Sequence, residues 1–440
     1  MADKFSEWIY DSYNLRMKSD KVKFNLFRGF VFEDLLLLES KGDTLFYVEE
    51  LKLQTKNISF SNFDKVYIQG IHVNFHFEDN IKDPDFSLIS SFFETNKSAN
   101  LKPIFIDNLI VSNAKIDVYR ANEKISLNSL DLLLKECKFG SKIEFNLDHL
   151  KWHMFGGSEH QIYANHFSFS EQKDFINGFK WISDSSCIEF DFSKDNTIKS
   201  SVIELHKFQI SKEATNGILH KWPKDLEIHG STVIQMFENR LWSDHFLISS
   251  NHQSIISGAF QIENWNSSDN WNIQLNADTF NLSSKEWKWL DSIIEDGNKW
   301  SEFGSIESDL YLKGSMKDME LRINMKSDQG RIQSDINIEG FNSLKAPVYN
   351  GSISFSKFNL DSFLPYQLGK MDASIYVSGK GLDLQSFDTD IKGNINSIEF
   401  LDYNYQNLTL DGRLQYDYFK GQAIIDDKNL EVDFSGEIDF

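Results

Sequence analysis

The chain has 440 residues, 40% of them hydrophobic, with 38 phenylalanines against 5 prolines and a formal net charge of −21. That length holds two or three ordinary domains or one elongated array. Abundant aromatics with scarce proline favour sheet, because proline removes a ladder donor. Scattered acidic residues without a basic run exclude a nucleic-acid footprint and read as a solvated outer face around an apolar object.

At the amino terminus Phe5, Trp8, Ile9, Ser12 and Tyr13 recur every three or four residues, which predicts a short amphipathic helix within residues 1–20. No signal-peptide core and no run of 18 apolar residues occurs. From residue 21 onward period-two alternation takes over. It is clear in residues 51–55, 71–77 and 143–147, and again in 321–325, 336–338, 353–355, 375–377, 408–410 and 430–434. One face is apolar and the other carries Lys, Asp, Asn, Ser or Gln, the signature of antiparallel sheet wet on one side. Turn signals punctuate the runs at Lys41-Gly42-Asp43, Gly156-Gly157, Asn216-Gly217, Asn350-Gly351, Asp411-Gly412 and Asp426-Asp427. In the carboxy-terminal half, glycines 314, 330, 340, 351, 379, 393, 412, 421 and 436 are expected in or near turns of a degenerate repeat.

Two further helices are expected, over residues 86–93 behind Pro84 and over residues 284–294 behind a Ser-Ser cap. The second places Trp287, Leu290, Ile293 and Ile294 on one side, fit to cover one end of a trough. It is also the best divider of the chain. The expected organisation is residues 1–20 as the helix, 21–283 as a first β segment, 284–300 as a helical insertion and 301–440 as a second, repeat-like β segment. The chain stops at Phe440 inside a strand pattern, which reads as a piece of a longer protein.

Chemistry is harder to find. Cys137 and Cys187 form no C-x-x-C pair and are expected as unpaired thiols, with one bridge as the alternative. His72 and His76, four apart on a strand, stand about 13 Å from one another, too far to share a metal. His149, His153, His160 and His166 match no ligand spacing. There is no G-x-S-x-G, P-loop, dinucleotide fingerprint or H-E-x-x-H. No catalytic residue, metal ligand or cofactor is therefore predicted.

The stretch YNYQNLTLDGRLQYDYFKGQAIIDDKNLEVDFSGEIDF, residues 403–440, resembles the repeating body of the TamB family of translocation and assembly module subunits, within the AsmA-like superfamily. Residues 22–60 look like that family's membrane-proximal opening, with Gly42-Asp43-Thr44-Leu45 in a tight turn. The resemblance implies a mainly β fold: an elongated, twisted antiparallel sheet curled into an apolar groove with a few short helices. It also implies transport of phospholipid through the periplasm between inner and outer membrane of a Gram-negative bacterium, in support of outer-membrane biogenesis and protein secretion. The partners implied are phospholipid acyl chains, the inner membrane through an anchor outside this chain, and an outer-membrane barrel of the TamA type. The alternating sets supply the expected groove lining: Leu51, Leu53, Val73, Phe75, Phe77, Phe145, Ile323, Ile353, Phe355, Ile375, Val377, Leu410, Val432 and Phe434. The same residues are equally explained as the closed core of a β-sandwich. Two other functions stay open: a scaffold for outer-membrane protein assembly, and a carbohydrate-binding β-protein using Trp152, Trp181, Trp265 and Trp271 as platforms.

Overall fold

A computed structural model of the protein describes residues 16–25, 29–38, 44–56, 61–77, 103–120, 123–140, 142–153, 159–183, 186–211, 223, 225–265, 270–293, 300–315, 317–340, 347–363, 368–381, 387–415 and 418–439. The chain is mainly β and divides into two compact units, Met1–Ala214 and Thr215–Phe440.

The first unit holds β1 (Arg16–Asn25), β2 (Gly29–Leu38), β3 (Thr44–Thr55), β4 (Asn62–Phe77), β5 (Ile104–Arg120), β6 (Glu123–Phe139), β7 (Ile143–His153), β8 (Glu159–Phe169), β9 (Lys173–Ser183), β10 (Ser186–Asp195) and β11 (Ser200–Ile210). They pair in chain order, each strand with the next, and antiparallel with one exception. β4 and β5 run parallel, in register from Asn62↔Phe105 to Phe77↔Arg120. This is one long crossover in an otherwise antiparallel succession of described strands. A parallel pair needs a crossover of a dozen or more residues, and the chain between these strands has that length. The helix expected over residues 86–93 falls there, outside the described residues. So does most of the amino-terminal helix; from Arg16 onward the chain is already strand β1, which shortens the segment assigned to residues 1–20.

The second unit holds β12 (Ile228–Phe237), β13 (Arg240–Ser250), β14 (Ile255–Glu263), β15 (Asn272–Leu282), helix α1 (Ser284–Ile293) and a 3₁₀ turn (Trp300–Phe303). Then follow β16 (Ile306–Gly314), β17 (Asp318–Ser327), β18 (Gly330–Glu339), β19 (Val348–Asn359), β20 (Leu368–Lys380), β21 (Asp388–Phe400), β22 (Tyr403–Gln415), β23 (Tyr418–Asp427) and β24 (Leu430–Asp439). Every neighbour pair is antiparallel and in chain order. Helix α1 stands where the Ser-Ser cap and the spacing place it. It does not divide the chain, however: β15 and β16 on either side pair directly, Leu282 opposite Ile306, and the division falls at Ala214/Thr215. Among the described residues no helix is long and apolar enough to cross a membrane.

Several glycines assigned to turns lie inside strands. Gly351, Gly393, Gly412 and Gly421 sit in β19, β21, β22 and β23, facing the same side as the apolar set. A Cβ on Gly421 would stand 2.4 Å from the Asp411 carbonyl oxygen and 2.4 Å from the Gly412 Cα. Glycine is needed there for close backbone approach, and the reading as turn punctuation gave way to that packing.

Candidate functional site

The second unit presents an apolar face that its own side chains only half cover. Along β17, Leu321, Ile323 and Met325 are half-buried while Arg322, Asn324 and Lys326 between them are exposed. β18 repeats this with Ile332 and Ile336 against Arg331, Gln333 and Asp335. The same alternation holds in the last strand, where Val432 and Phe434 are half-covered and Glu431, Asp433 and Ser435 are exposed.

Strand register assembles these positions into rows that run across the sheet. One row is Leu310–Ile323–Ser334–Ile353–Ile375–Gly393–Leu410–Ala423–Phe434, each residue directly opposite the next. Five of the expected lining residues, Ile323, Ile353, Ile375, Leu410 and Phe434, fall on this single row. Phe355 and Val432 fall on the adjacent row Ile332–Phe355–Ala373–Ile395–Leu408–Ile425–Val432. Nine strands at about 4.8 Å spacing make the first row about 38 Å long. Val377, also expected as lining, is only 6% exposed and belongs to the packed margin of the face.

The opposite face of these strands is ionic. Arg413 grips Asp388 with two hydrogen bonds of 2.6 Å, and Lys392 bonds Asp411 at 2.7 Å. The Arg413 guanidinium holds the Asp388 carboxyl at about 2, below the usual aspartate range. Arg322 lies over the ring of Tyr311, 5.3 Å from its centroid.

The first unit differs. Phe30, Phe32, Leu35, Val48, Leu53, Phe63, Val66, Ile106, Leu134, Cys137, Leu147 and Ala164 form one buried cluster drawn from β2 to β8. Leu53, expected to line a groove, is 6% exposed and part of that core. Leu51 and Phe145 pack against it, and Phe145 stacks on Phe167 with centroids 4.7 Å apart. Val73 is half-buried between Phe46 and Ile116. The side chains of Phe75 and Phe77 lie outside the described part. Of the lining residues expected in this unit, Leu53 is therefore buried in the cluster, while Leu51, Val73 and Phe145 are half-buried. Both cysteines are free thiols, and burial pushes that of Cys137 up to about 11.

A recurrent device shapes both units and was not read from the sequence. Asp34 (φ 52°), Gly70 (φ 64°) and Asn113 (φ 53°) occupy left-handed conformations at the same level of β2, β4 and β5. Asn113 coincides with a register shift against β6, a bulge that adds twist, while at Asp34 and Gly70 the neighbouring strands keep register. At this level Phe32 and Leu35, Val48 and Leu51, Ile68 and Ile71, and Val111 and Ala114 all face the core at a spacing of three. An outward aspartate on the next strand fixes the bulge. The Asn113 N–H donates to Asp131 Oδ1 at 3.0 Å, that of Gly178 to Asp191 Oδ1 at 2.5 Å, and that of Lys357 to Asp372 Oδ1 at 3.0 Å. The signal in the sequence was a slip from period two to three across an Asp, Asn or Gly.

Titratable groups meet in few places. Asp117, 1% exposed, accepts from Ser126 Oγ at 2.5 Å and lies 3.1 Å from His72 Nε2 and 3.3 Å from Lys115 Nζ. The carboxylate stands in the middle, so no imidazole bridges it to the hydroxyl as nucleophile activation requires. Asp191, Glu204 and His206 bring three ligand atoms within 4.8 Å of one another. Asp191 is already bonded to the Gly178 N–H and to His206; burial raises its carboxyl, and these two bonds outweigh it and hold it below the usual range. Of the denser histidines, His149 bonds Asp148 at 3.0 Å and His166 bonds Asn146 at 2.9 Å. His160 is stacked between Trp152 (5.1 Å) and Trp181 (5.9 Å) on the core side. Those two tryptophans present a face to a histidine, whereas Trp265 is exposed and Trp271 half-buried.

No protein-family model, curated protein or solved structure matches the chain.

Proposed function

We propose that the half-covered apolar face of β16–β24 binds the acyl chains of phospholipid and lets them pass along the sheet. The observation that carries this is the row from Leu310 to Phe434. It is continuous, one-sided and incompletely covered by protein, while the reverse face is charged. Each methylene removed from water gains about 0.8 kcal/mol. A strip of about 38 Å exceeds the ~30 Å hydrocarbon core of a bilayer. Acyl chains can thus lie on it at a free energy close to that in a membrane, with the headgroup left at the wet rim. No bond need be made or broken.

The wider setting rests on the resemblance to the TamB family: a periplasmic, bridge-like carrier of phospholipid between inner and outer membrane, attached to the inner membrane and meeting a TamA-type barrel. The test uses the full chain. Lipid extracted after purification, analysed by mass spectrometry, should contain phospholipid. Ile353→Asp and Leu410→Asp should lower the bound amount at least tenfold while leaving the far-UV circular dichroism and melting midpoint nearly unchanged. A folded protein without phospholipid, or variants that unfold, would remove this reading in favour of a closed core.

A further inference from the structure

Between β15 and β16, helix α1 and the 3₁₀ turn are each anchored to the sheet, the helix by hydrogen bonds and the turn by hydrogen bonds and an aromatic cluster. At the start of α1 the Ser283 hydroxyl donates to the Glu286 carboxylate, and the Trp287 N–H closes the first helical turn on the Ser283 carbonyl at 3.2 Å. The other Glu286 oxygen accepts from Ser250 Oγ at the end of β13, and the Ser283 N–H donates to Ser254 Oγ in the β13–β14 turn at 2.8 Å. His252 Nδ1 lies 3.6 Å from the same carboxylate. Burial pushes the Glu286 carboxyl up, but the hydroxyls of Ser250 and Ser283 and its own N–H outweigh it and keep it below its ordinary value. Among the described side chains of α1 this polar residue, 6% exposed, is the buried one; Trp287 and Leu290 stay half-covered.

The 3₁₀ turn places Phe303 on the apolar face. Its ring lies 4.7 Å from Phe363 and 6.1 Å from Phe358, and Phe358 stands opposite Met371 beside the lining residue Phe355. The Asp328 N–H donates to the Phe303 carbonyl at 3.2 Å, and Gln329 Nε2 to that of Glu302 at 3.0 Å. The anchors therefore run along one margin of the sheet, from the β13–β14 turn to the end of β19.

We propose that α1 and the 3₁₀ turn, joined by the Ser301 N–H donating to Asp291 Oδ2 at 3.0 Å, form a displaceable strap, in which Phe303 fills the end of the apolar face when no acyl chain is present and α1 lifts away when one arrives. The proposal rests on the lipid-binding reading for its purpose but not for its mechanics. Helix α1, held by hydrogen bonds and with Trp287 and Leu290 half-covered, opens at lower free energy than the strands on either side. An arriving chain replaces the phenyl ring with equivalent apolar contact, so opening costs little once lipid is present.

Hydrogen exchange on the full chain tests the mechanics. Amides of residues 287–291 should exchange at least tenfold faster than those of β15 and β16, and Glu286→Gln should widen the gap. Equal protection of helix and strands would overturn the strap, whether or not the protein binds lipid. Transfer of a fluorescent phosphatidylethanolamine from vesicles tests the purpose. Phe303→Ala should load several-fold faster than the wild type, with Glu286→Gln as the second variant if Phe303→Ala does not fold. Unchanged or slower loading in a folded variant would overturn the role of Phe303. A wild type that takes up no lipid, together with a fast-exchanging helix, would sink the lipid reading and leave the strap standing.

Discussion

The two units are built from the same kind of strand and end in different states. In β2–β8 the alternating apolar residues meet one another, and Phe32, Leu35 and Val48 are almost wholly withdrawn from water. In β17–β24 the row from Ile323 to Phe434 stays half-covered across eight strands, while Ala373 and Ile395 on the next row are buried with Met371 as a small cluster. Residue type does not make this difference, since both regions use Ile, Leu, Val and Phe. Strand length and bulge placement do. β4, β5 and β6 span 16, 17 and 17 residues, and Gly70 of β4 and Asn113 of β5 take left-handed conformations at one level. β16, β17 and β18 span 9, 10 and 10 residues and pair with one another without a register shift. Short strands paired in unbroken register leave the row through β16–β18 to be covered by something else.

The sharpest way to break this comparison is to truncate one residue on each side of it. Leu53→Ala should cost about 2–5 kcal/mol, because it empties a filled core that relaxes only in part. Ile353→Ala should cost about 1 kcal/mol or less, since the site is already partly wet. Urea unfolding of both variants measures the two values. Equal losses would mean that the second face is a core after all.

A smaller effect probes the glycine-lined strands of the second unit. Gly421→Ala introduces a Cβ where the Asp411 carbonyl and Gly412 backbone already stand, and should cost about 1–3 kcal/mol through a forced shift between β22 and β23. Gly436→Ala, whose nearest neighbour would be the Phe434 ring at 3.3 Å, should cost clearly less. A thermal melt of each variant decides it. A reversed order would show that close backbone approach is not what these glycines provide.

Much of the second unit was legible because its period-two pattern is unbroken: Ile323, Ile353, Ile375, Leu410 and Phe434 were identified from alternation and fall on one row. The first unit was less legible for a local reason. Where Phe32 is followed by Leu35 and Ile68 by Ile71, a left-handed residue carries the apolar face across a spacing of three, and a strict two-residue rule assigns the wrong face. The glycines misled because the same residue serves tight turns and close strand approach, and only the neighbouring backbone distinguishes them. The parallel step from β4 to β5 had no local signature, since alternation reports a face and not a direction. Openness itself was invisible: the same apolar set serves a trough or a core until the facing wall is placed.

The smallest expected effect concerns the outer face, where the half-covered unit relies on cross-strand charge. Arg413 on β22 holds the Asp388 carboxyl of β21 at about 2. A carboxyl depressed in the folded state contributes stability above its unfolded value of about 3.9 and loses it as the pH falls through the folded value. The window therefore lies between about pH 4 and pH 2. Arg413→Gln should lower the urea midpoint slightly at pH 4.5 and have no effect near pH 1.5, where the pair is already broken in the wild type. The size should stay small, because Arg413 is about half exposed and solvent screens the pair. A midpoint difference that persists unchanged at pH 1.5 would assign the role of Arg413 to packing of its alkyl stem against β21, and would leave the charged face of this sheet with solubility as its main task.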